Sequence, residues 1–305
     1  MVVGAGIGGM ACAALLAKSG FKVTVVERNN QTGGRAGIWQ KDGYTFDMGP
    51  SWYLMPEVFE RFFAKFGRKT SDYYELRRLA PSYRVFFGQG EAHDVPPDRA
   101  GVAALFDCLE PGGGVKLGRY LDEAAYKYKV AVGEFLYREY RTLFDFLNWR
   151  MLTEGLKLNV LGKLDAAVRR RFSDRRARQI LEYAMVFLGT SPNAAPAMYA
   201  LMSHVDLTQG VFYPLGGLAA VAQGIRRLAE AQGVEFRLST EATKIVTANG
   251  RAVCVEARGA DGGPVRLPCA GVVANADYAH VETELLAAAD CSRPRRYWEK
   301  RVVAP

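Results

Sequence analysis

The run Gly4-Ala5-Gly6-Ile7-Gly8-Gly9 sets three glycines in the order G-x-G-x-x-G, at Gly4, Gly6 and Gly9. These are the residues a backbone needs if it is to wrap around a phosphate. Gly4 permits a tight turn from strand to helix, Gly6 omits the Cβ that would hold a pyrophosphate away, and Gly9 lets the helix lie close to the strand. The helix N-terminus adds unbonded N–H groups and roughly half a positive charge. Eighteen residues after Gly9 stands Glu27, an acid placed to accept hydrogen bonds from both hydroxyls of an adenosine ribose. Gly33-Gly34-Arg35 follows six to eight residues later, with two glycines that let the backbone pass close to a ligand and a guanidinium that can fork onto a diphosphate. Glycine-rich turns also open helices that bind nothing; the acid at Glu27 is what such a purely structural turn does not require.

The elements that must position these groups can be read around them. Met1-Val2-Val3 reads as a strand, Met10 to Ser19 as an apolar helix stopped by Gly20, and Phe21 to Val26 as a β-branched second strand. The result is a βαβ unit suited to a dinucleotide. In a plain nicotinamide dehydrogenase the second strand usually leads to another helix, whereas here a second glycine pair and a cation follow. The combination resembles the FAD-binding opening of the glutathione-reductase-like flavoproteins, amine oxidases and carotenoid desaturases among them. The resemblance implies an α/β, Rossmann-like FAD-binding domain, FAD rather than NAD, and Gly4, Gly6, Gly9, Glu27, Gly33, Gly34 and Arg35 as its cofactor-binding residues.

A chain of 305 residues has room for about two domains. With 49% apolar and 24% charged residues it has the composition of a folded protein and not of a disordered one. Forty Lys and Arg against 32 Asp and Glu give a net charge of +8, which suits an anionic membrane face, a nucleic acid, or a merely soluble basic protein. The five cysteines are scattered without a C-x-x-C pair, so a reducing cytoplasm is expected. His93, His204 and His280 stand apart, and no metal site is expected. The uncharged stretch from Val2 to Ala17 lacks a basic leader, and its glycines already have a better use. No apolar run reaches the ~20 residues of a spanning helix, so any membrane contact should be peripheral.

Further along, Asp47-Met48-Gly49-Pro50-Ser51-Trp52-Tyr53 and Met55-Pro56-Glu57-Val58-Phe59 resemble the bacterial-type phytoene desaturase (phytoene dehydrogenase) family. Pro81-Ser82-Tyr83-Arg84-Val85-Phe86, the Leu109-Glu110-Pro111-Gly112 turn and Gly210-Val211-Phe212-Tyr213-Pro214 continue the likeness in order. The expected organisation is a first part of the FAD domain over 1–80, an inserted α+β, largely helical substrate and membrane-associating domain over 81–209, and the rest of the FAD domain over 210–305. In that last part, strands around an Asn249-Gly250 turn make a small meander, and Ala270 to Ala274 returns to the dinucleotide sheet with Asn275-Ala276-Asp277 at its carboxyl end, where ligands of such sheets sit. The family's members are longer, so a chain truncated at its C-terminal end is expected.

The resemblance implies a carotenoid substrate, an apolar polyene that loses hydrogens to the flavin. Aromatic residues at Tyr126, Tyr128, Phe135, Tyr137, Tyr140, Phe144, Phe146 and Trp149 would then line a greasy tunnel, although helically spaced rings are more often simply core. Asp122, Glu139 and Asp145 lie in this region as candidate proton acceptors, with surface positions the plainer account of each; no catalytic residue is assigned. Arg169, Arg170, Arg171, Arg175, Arg176 and Arg178 form a basic cluster that fits a solvated helix face or a phospholipid headgroup contact. No nucleic-acid motif accompanies it, and no nucleic-acid partner is expected. Other FAD oxidoreductases of the same superfamily, a carotenoid isomerase or oxygenase, and an inactive fragment with only a binding role are the alternatives; the sequence implies no oligomeric state.

Overall fold

The computed structural model describes residues 1–88, 90–139, 141–142, 155, 158–160 and 162–301. The chain divides into two compact units. One comprises Met1–Trp52, Glu57–Leu76 and Pro214–Pro305, and the other Tyr53–Pro56 and Arg77–Tyr213.

The first unit is built on four short parallel strands. β1 (Val2–Val3) lies between β2 (Thr24–Val26) and a strand from late in the chain, and the sheet order is 273–274, 2–3, 24–26, 235–237. Val2, Val25 and Val26 are almost wholly buried, as expected of a parallel sheet covered on both faces. The second strand is shorter than its β-branched run because β1 offers only Val2 and Val3 as partners, in register with Val25 and Val26. Between them α1 (Ile7–Lys18) buries Gly9, Met10, Ala13 and Ala14. It starts three residues earlier than its apolar run suggests, because Gly8 and Gly9 are drawn into the helix despite glycine's poor intrinsic propensity. At its end Gly20 takes φ +91°, and the N–H of Phe21 returns to the Leu16 carbonyl at 3.1 Å, the left-handed stop that only glycine adopts without strain.

β3 (Ile38–Lys41) and β4 (Tyr44–Asp47) form a hairpin, with Asp42 and Gly43 both at positive φ in its turn. Helix α2 (Pro56–Ala64) follows. Strands β5 (Leu76–Arg78) and β8 (Phe212–Pro214) lie where the chain passes between the units. Helix 218–231, strands β9 (Glu235–Arg237), β10 (Glu241–Ala248), β11 (Arg251–Arg258), β12 (Pro264–Pro268) and β13 (Val273–Ala274) complete the first unit's regular structure up to the sheet edge. β10, β11 and β12 are the antiparallel meander. Ile245, Val255 and Leu267 bury one of its faces together with Val3, Val26, Val281 and Leu285; each such side chain contributes about 1.5–3 kcal/mol when removed from water.

The second unit has its own core. The hairpin of β6 (Tyr83–Gly88) and β7 (Glu91–Val95) joins α3 (Arg99–Leu109), α4 (Gly113–Val130), α5 (Leu164–Arg169), α6 (Arg175–Glu182) and α7 (Leu201–His204). Phe106, Tyr120 and Phe172 are nearly or wholly buried, and Phe172 meets the other two edge-on, with ring centroids 5.6 and 6.1 Å away. Asp98 caps α3 through the Gly101 N–H at 2.9 Å. Buried Glu110 accepts the N–H groups of Ser173 and Asp174, both at 2.8 Å, and so anchors the loop leading into α6. The helix of the first unit over Leu218–Ala231 is α8.

Candidate functional site

The groups singled out at the N-terminal end meet at the carboxyl ends of β1 and β2. A Cβ on Gly9 would stand 2.1 Å from the Gly4 carbonyl oxygen, whereas a Cβ on Gly6 would have only the Asn275 Oδ1 nearby, at 3.9 Å. Gly9 therefore sets the helix against the strand, and Gly6 faces open space of the kind a ligand enters. Gly4, at φ +100°, has the Asn275 carbonyl 2.6 Å from where its Cβ would be.

Glu27 lies at the end of β2 with 6% of its surface exposed. Its Oε2 accepts the N–H of Ala5, inside the glycine turn, at 2.8 Å, and its Oε1 accepts the N–H of Asn29 at 2.9 Å. An ionised carboxylate has about four acceptor positions, so two remain for hydroxyl donors. The acid and the glycines form one crevice.

Gly33 and Gly34 close its other side. The Gly33 N–H donates to the Ala5 carbonyl at 2.8 Å, and a Cβ on Gly34 would be 3.2 Å from the Cα of Gly6. Arg35 sits in the short turn Gly34–Ala36 with its residue exposed at the same edge. Its carbonyl lies so near Gly49 that a Cβ there would be at 1.9 Å, which ties the Asp47-Met48-Gly49 segment to this turn. All seven predicted residues thus belong to one edge of the first unit.

One residue there was not legible as a site builder. Asp47 accepts the N–H groups of Leu218 and Ala219 at 3.1 and 3.4 Å, supplying from a distance the cap that Gly217 cannot give α8. Asn275, expected from the sequence at the carboxyl end of the returning strand where ligands of such sheets sit, lays its carboxamide alongside the first turn of α1.

The second unit holds a separate polar cluster. Asp206 is 5% exposed; its Oδ2 accepts the hydroxyls of Tyr83 at 2.7 Å and Tyr183 at 3.0 Å, and its Oδ1 has no partner among the described residues. Burial pushes the Asp206 carboxyl up to about 6, against the pull of the two tyrosines, and raises both phenols as well. Asp206 sits in the π-helical turn Val205–Gln209. The carboxylates expected as candidates are elsewhere: Asp122 pairs with Arg99 at 2.7 Å and Glu139 with Arg141 at 2.5 Å, both at the surface. Asp145, Tyr140, Phe144, Phe146 and Trp149 lie outside the described residues. Of the basic cluster, Arg169, Arg171 and Arg176 are paired with Asp165, Glu123 and Glu91 respectively, which leaves Arg170, Arg175 and Arg178 without an ion pair among the described residues.

Among the described residues no helix is long and apolar enough to cross a membrane, and no group of three or more His, Cys, Asp and Glu is placed to hold a metal.

A family model described as flavin containing amine oxidoreductase matches residues 7–301. The chain is 41% identical over its full length to a carotenoid 3,4-desaturase of Haloarcula japonica, of which it covers 61%. It is 36% identical over 286 residues to a zeta-carotene-forming phytoene desaturase of Myxococcus xanthus, covering 94% of this chain and 54% of that protein. The chain thus spans just over half to three-fifths the length of these relatives. Among solved structures, an oxidoreductase from Methanosarcina mazei matches with a TM-score of 0.61 and 18% identity, over 93% of this chain and 60% of the other. Wild-type putrescine oxidase bound to putrescine matches with a TM-score of 0.58 and 17% identity, over 94% and 60%. At these identities the structural likeness establishes the α/β fold alone.

Proposed function

Because the chain belongs to the flavin containing amine oxidoreductase family, a flavin family with FAD as its cofactor, we propose that Gly4, Gly6, Gly9, Glu27, Gly33, Gly34 and Arg35 hold FAD, and that the protein is a carotenoid desaturase. The observation that carries this reading is the Glu27 carboxylate bonded into the glycine turn at Ala5, with the Gly6 position open beside it. The residues present fit the cofactor: the α1 N-terminus for the diphosphate, Glu27 for the ribose hydroxyls, and Arg35 as a nearby cation. The bound flavin would supply the capacity to accept a hydride from an otherwise unreactive C–H bond.

The substrate proposed is a long apolar polyene, in keeping with the named activities of the carotenoid 3,4-desaturase and the phytoene desaturase. A hydrocarbon of about forty carbons, at ~0.8 kcal/mol per buried CH₂, would cost tens of kcal/mol to bring through water, so the enzyme has to meet it at a bilayer. The second unit supplies a suitable surface. A cavity of about 340 Å³ is lined by Val85, Phe86, Phe87, Arg175, Arg176 and Tyr183 among others, and Phe86, Val186, Phe187 and Leu188 are exposed. Apolar side chains next to guanidinium groups are what a peripheral contact with anionic lipid uses. The second unit is accordingly assigned to the substrate and the membrane face.

The test is to titrate the purified chain with FAD, follow the flavin fluorescence, and then incubate the loaded protein with phytoene or a hydroxyl-free relative in liposomes. Uptake of FAD with new conjugated absorption bands is expected. Saturable FAD uptake without any desaturated product would leave the cofactor assignment standing and remove the desaturase one, and peroxide release with amines in its place would assign an amine oxidase.

A further inference from the structure

The hairpin of β3 and β4 carries an apolar face that the cofactor crevice does not use. Trp39 pairs with Phe46 across the two strands, and Lys41 with Tyr44. Directly paired residues share a face of a sheet, so Trp39, Lys41, Tyr44 and Phe46 all lie on one side. The Trp39 and Phe46 ring centroids are 5.5 Å apart, and those of Tyr44 and Phe46 6.5 Å. The opposite face is polar at its middle, where Gln40 Nε2 donates to Thr45 Oγ1 at 3.1 Å.

Neither face is covered. Trp39, Tyr44 and Phe46 expose 50–70% of their surface, and Met48, just past β4, exposes 63%. Every residue from Trp39 to Phe46 is exposed. The hairpin is an arm of the first unit that holds three neighbouring rings in solvent. Single exposed apolar side chains need no explanation, but a contiguous patch marks a contact surface.

The chemistry of the face decides what it can meet. A stable contact with a second copy or another protein takes roughly 20–30 residues a side, far more than the few side chains on this arm. A polyanion finds no net positive charge here, because Lys41 and Asp42 at the tip carry opposite signs. Tryptophan and tyrosine are the side chains that settle at the boundary of a bilayer, apolar in the ring and polar at the indole N–H or the phenol. A bilayer also requires no complementary partner surface. Resting on the reading above that the substrate is met at a bilayer, we infer that the β3–β4 hairpin is an interfacial anchor, laying Trp39, Tyr44 and Phe46 among the headgroups and upper acyl chains of zwitterionic lipid. The contact is apolar in kind, so it persists at high salt, unlike one made by the guanidinium groups of the second unit.

The experiment uses phosphatidylcholine vesicles, plain or with brominated acyl chains, at low and high salt. Co-sedimentation reads binding, and quenching by bromine reads which tryptophan enters the lipid. Wild-type protein is expected to bind at both salt concentrations with its tryptophan emission quenched. Trp39→Phe, which keeps a ring, should bind within about twofold of wild type and lose the greater part of the quenching. The triple variant Trp39→Ser, Tyr44→Ser, Phe46→Ser should partition at least about tenfold more weakly at both salt concentrations, since binding scales with the apolar area buried. Circular dichroism and thermal unfolding in the absence of lipid check that the exposed substitutions leave the fold intact. Undiminished quenching in Trp39→Phe, or undiminished binding by the triple variant, would overturn the anchor while leaving the lipid surface of the second unit standing. Wild-type binding that high salt abolishes would do the same. A wild-type dimer in light scattering that the triple variant disperses would give the face to a second copy and overturn the inference. Wild-type protein that binds no vesicle at either salt concentration overturns both membrane readings.

Discussion

The carboxylate of Asp47 receives the backbone N–H of Leu218 at 3.1 Å, across 171 residues of chain. It caps α8 from the end of a distant hairpin, and Gly217 has no side chain with which to take its place. Asp47→Ala is expected to destabilise the first unit by about 1 kcal/mol, the usual cost of a lost cap. Asp47→Asn, which keeps an acceptor oxygen, should recover most of it. Thermal or urea unfolding of the two variants measures the difference.

Gly6 and Gly9 should behave differently when each is changed to alanine. At Gly9 the new Cβ meets the Gly4 carbonyl at 2.1 Å, so strand and helix must part; a loss of about 1–3 kcal/mol or more in the ligand-free protein is expected. At Gly6, where φ is an ordinary −68° and the nearest atom is 3.9 Å away, ligand-free stability should be unchanged while FAD affinity falls. Unfolding curves with and without FAD separate the two effects.

Glu27 carries two duties, and two variants divide them. Glu27→Ala leaves the N–H of wholly buried Ala5 without an acceptor, expected to cost about 1–3 kcal/mol, and also removes the ribose contact. Glu27→Gln keeps one oxygen for Ala5, so its fold should hold while FAD binding weakens. Calorimetric unfolding paired with FAD titration reads both numbers.

Asp206 should make the second unit sensitive to pH. Its folded-state pKa of about 6 lies above the ~3.9 of an unfolded aspartate. Its contribution to stability is therefore fully present below about pH 4 and is lost as pH rises through 6, on the order of 2–3 kcal/mol at about 1.4 kcal/mol per pKa unit. Asp206→Asn, which can still accept from Tyr83 and Tyr183 but cannot ionise, should flatten that dependence. Urea unfolding of both proteins at pH 4.5 and 7.5 checks it, and equal slopes would show that another group is responsible.

The crevice at Gly4, Glu27 and Gly33 could be read from the sequence because its parts lie within 35 residues and each is dictated by local chemistry: a turn, a close approach, a strand end. The hairpin turn at Asn249-Gly250 was legible for the same reason. The caps and clusters made across the chain were not. Nothing in the neighbourhood of Asp47 announces Leu218, and Tyr83 finds Asp206 over 123 residues. Asp122 and Glu139 lie in the aromatic stretch of the sequence, yet both are at the surface, paired with Arg99 and Arg141. Asp206, one of the buried acids of that unit, had only the plain Val205-Asp206-Leu207 around it, with no periodic signal to set it apart.

The order of the central sheet also governs the protein's birth. β1 is flanked by β2 and by β13, so the strand made first awaits a neighbour translated some 270 residues later. The unit over Arg77–Tyr213 leaves the ribosome complete while its predecessor still lacks two of four strands. At roughly 5–20 residues per second, nascent Gly4 and Glu27 spend many seconds without the scaffold that aligns them. The proposed cofactor crevice is therefore complete only once β13 has been translated, and a chaperone that guards the unpaired valines of β1 and β2 in the interval is expected to raise the yield of folded chain.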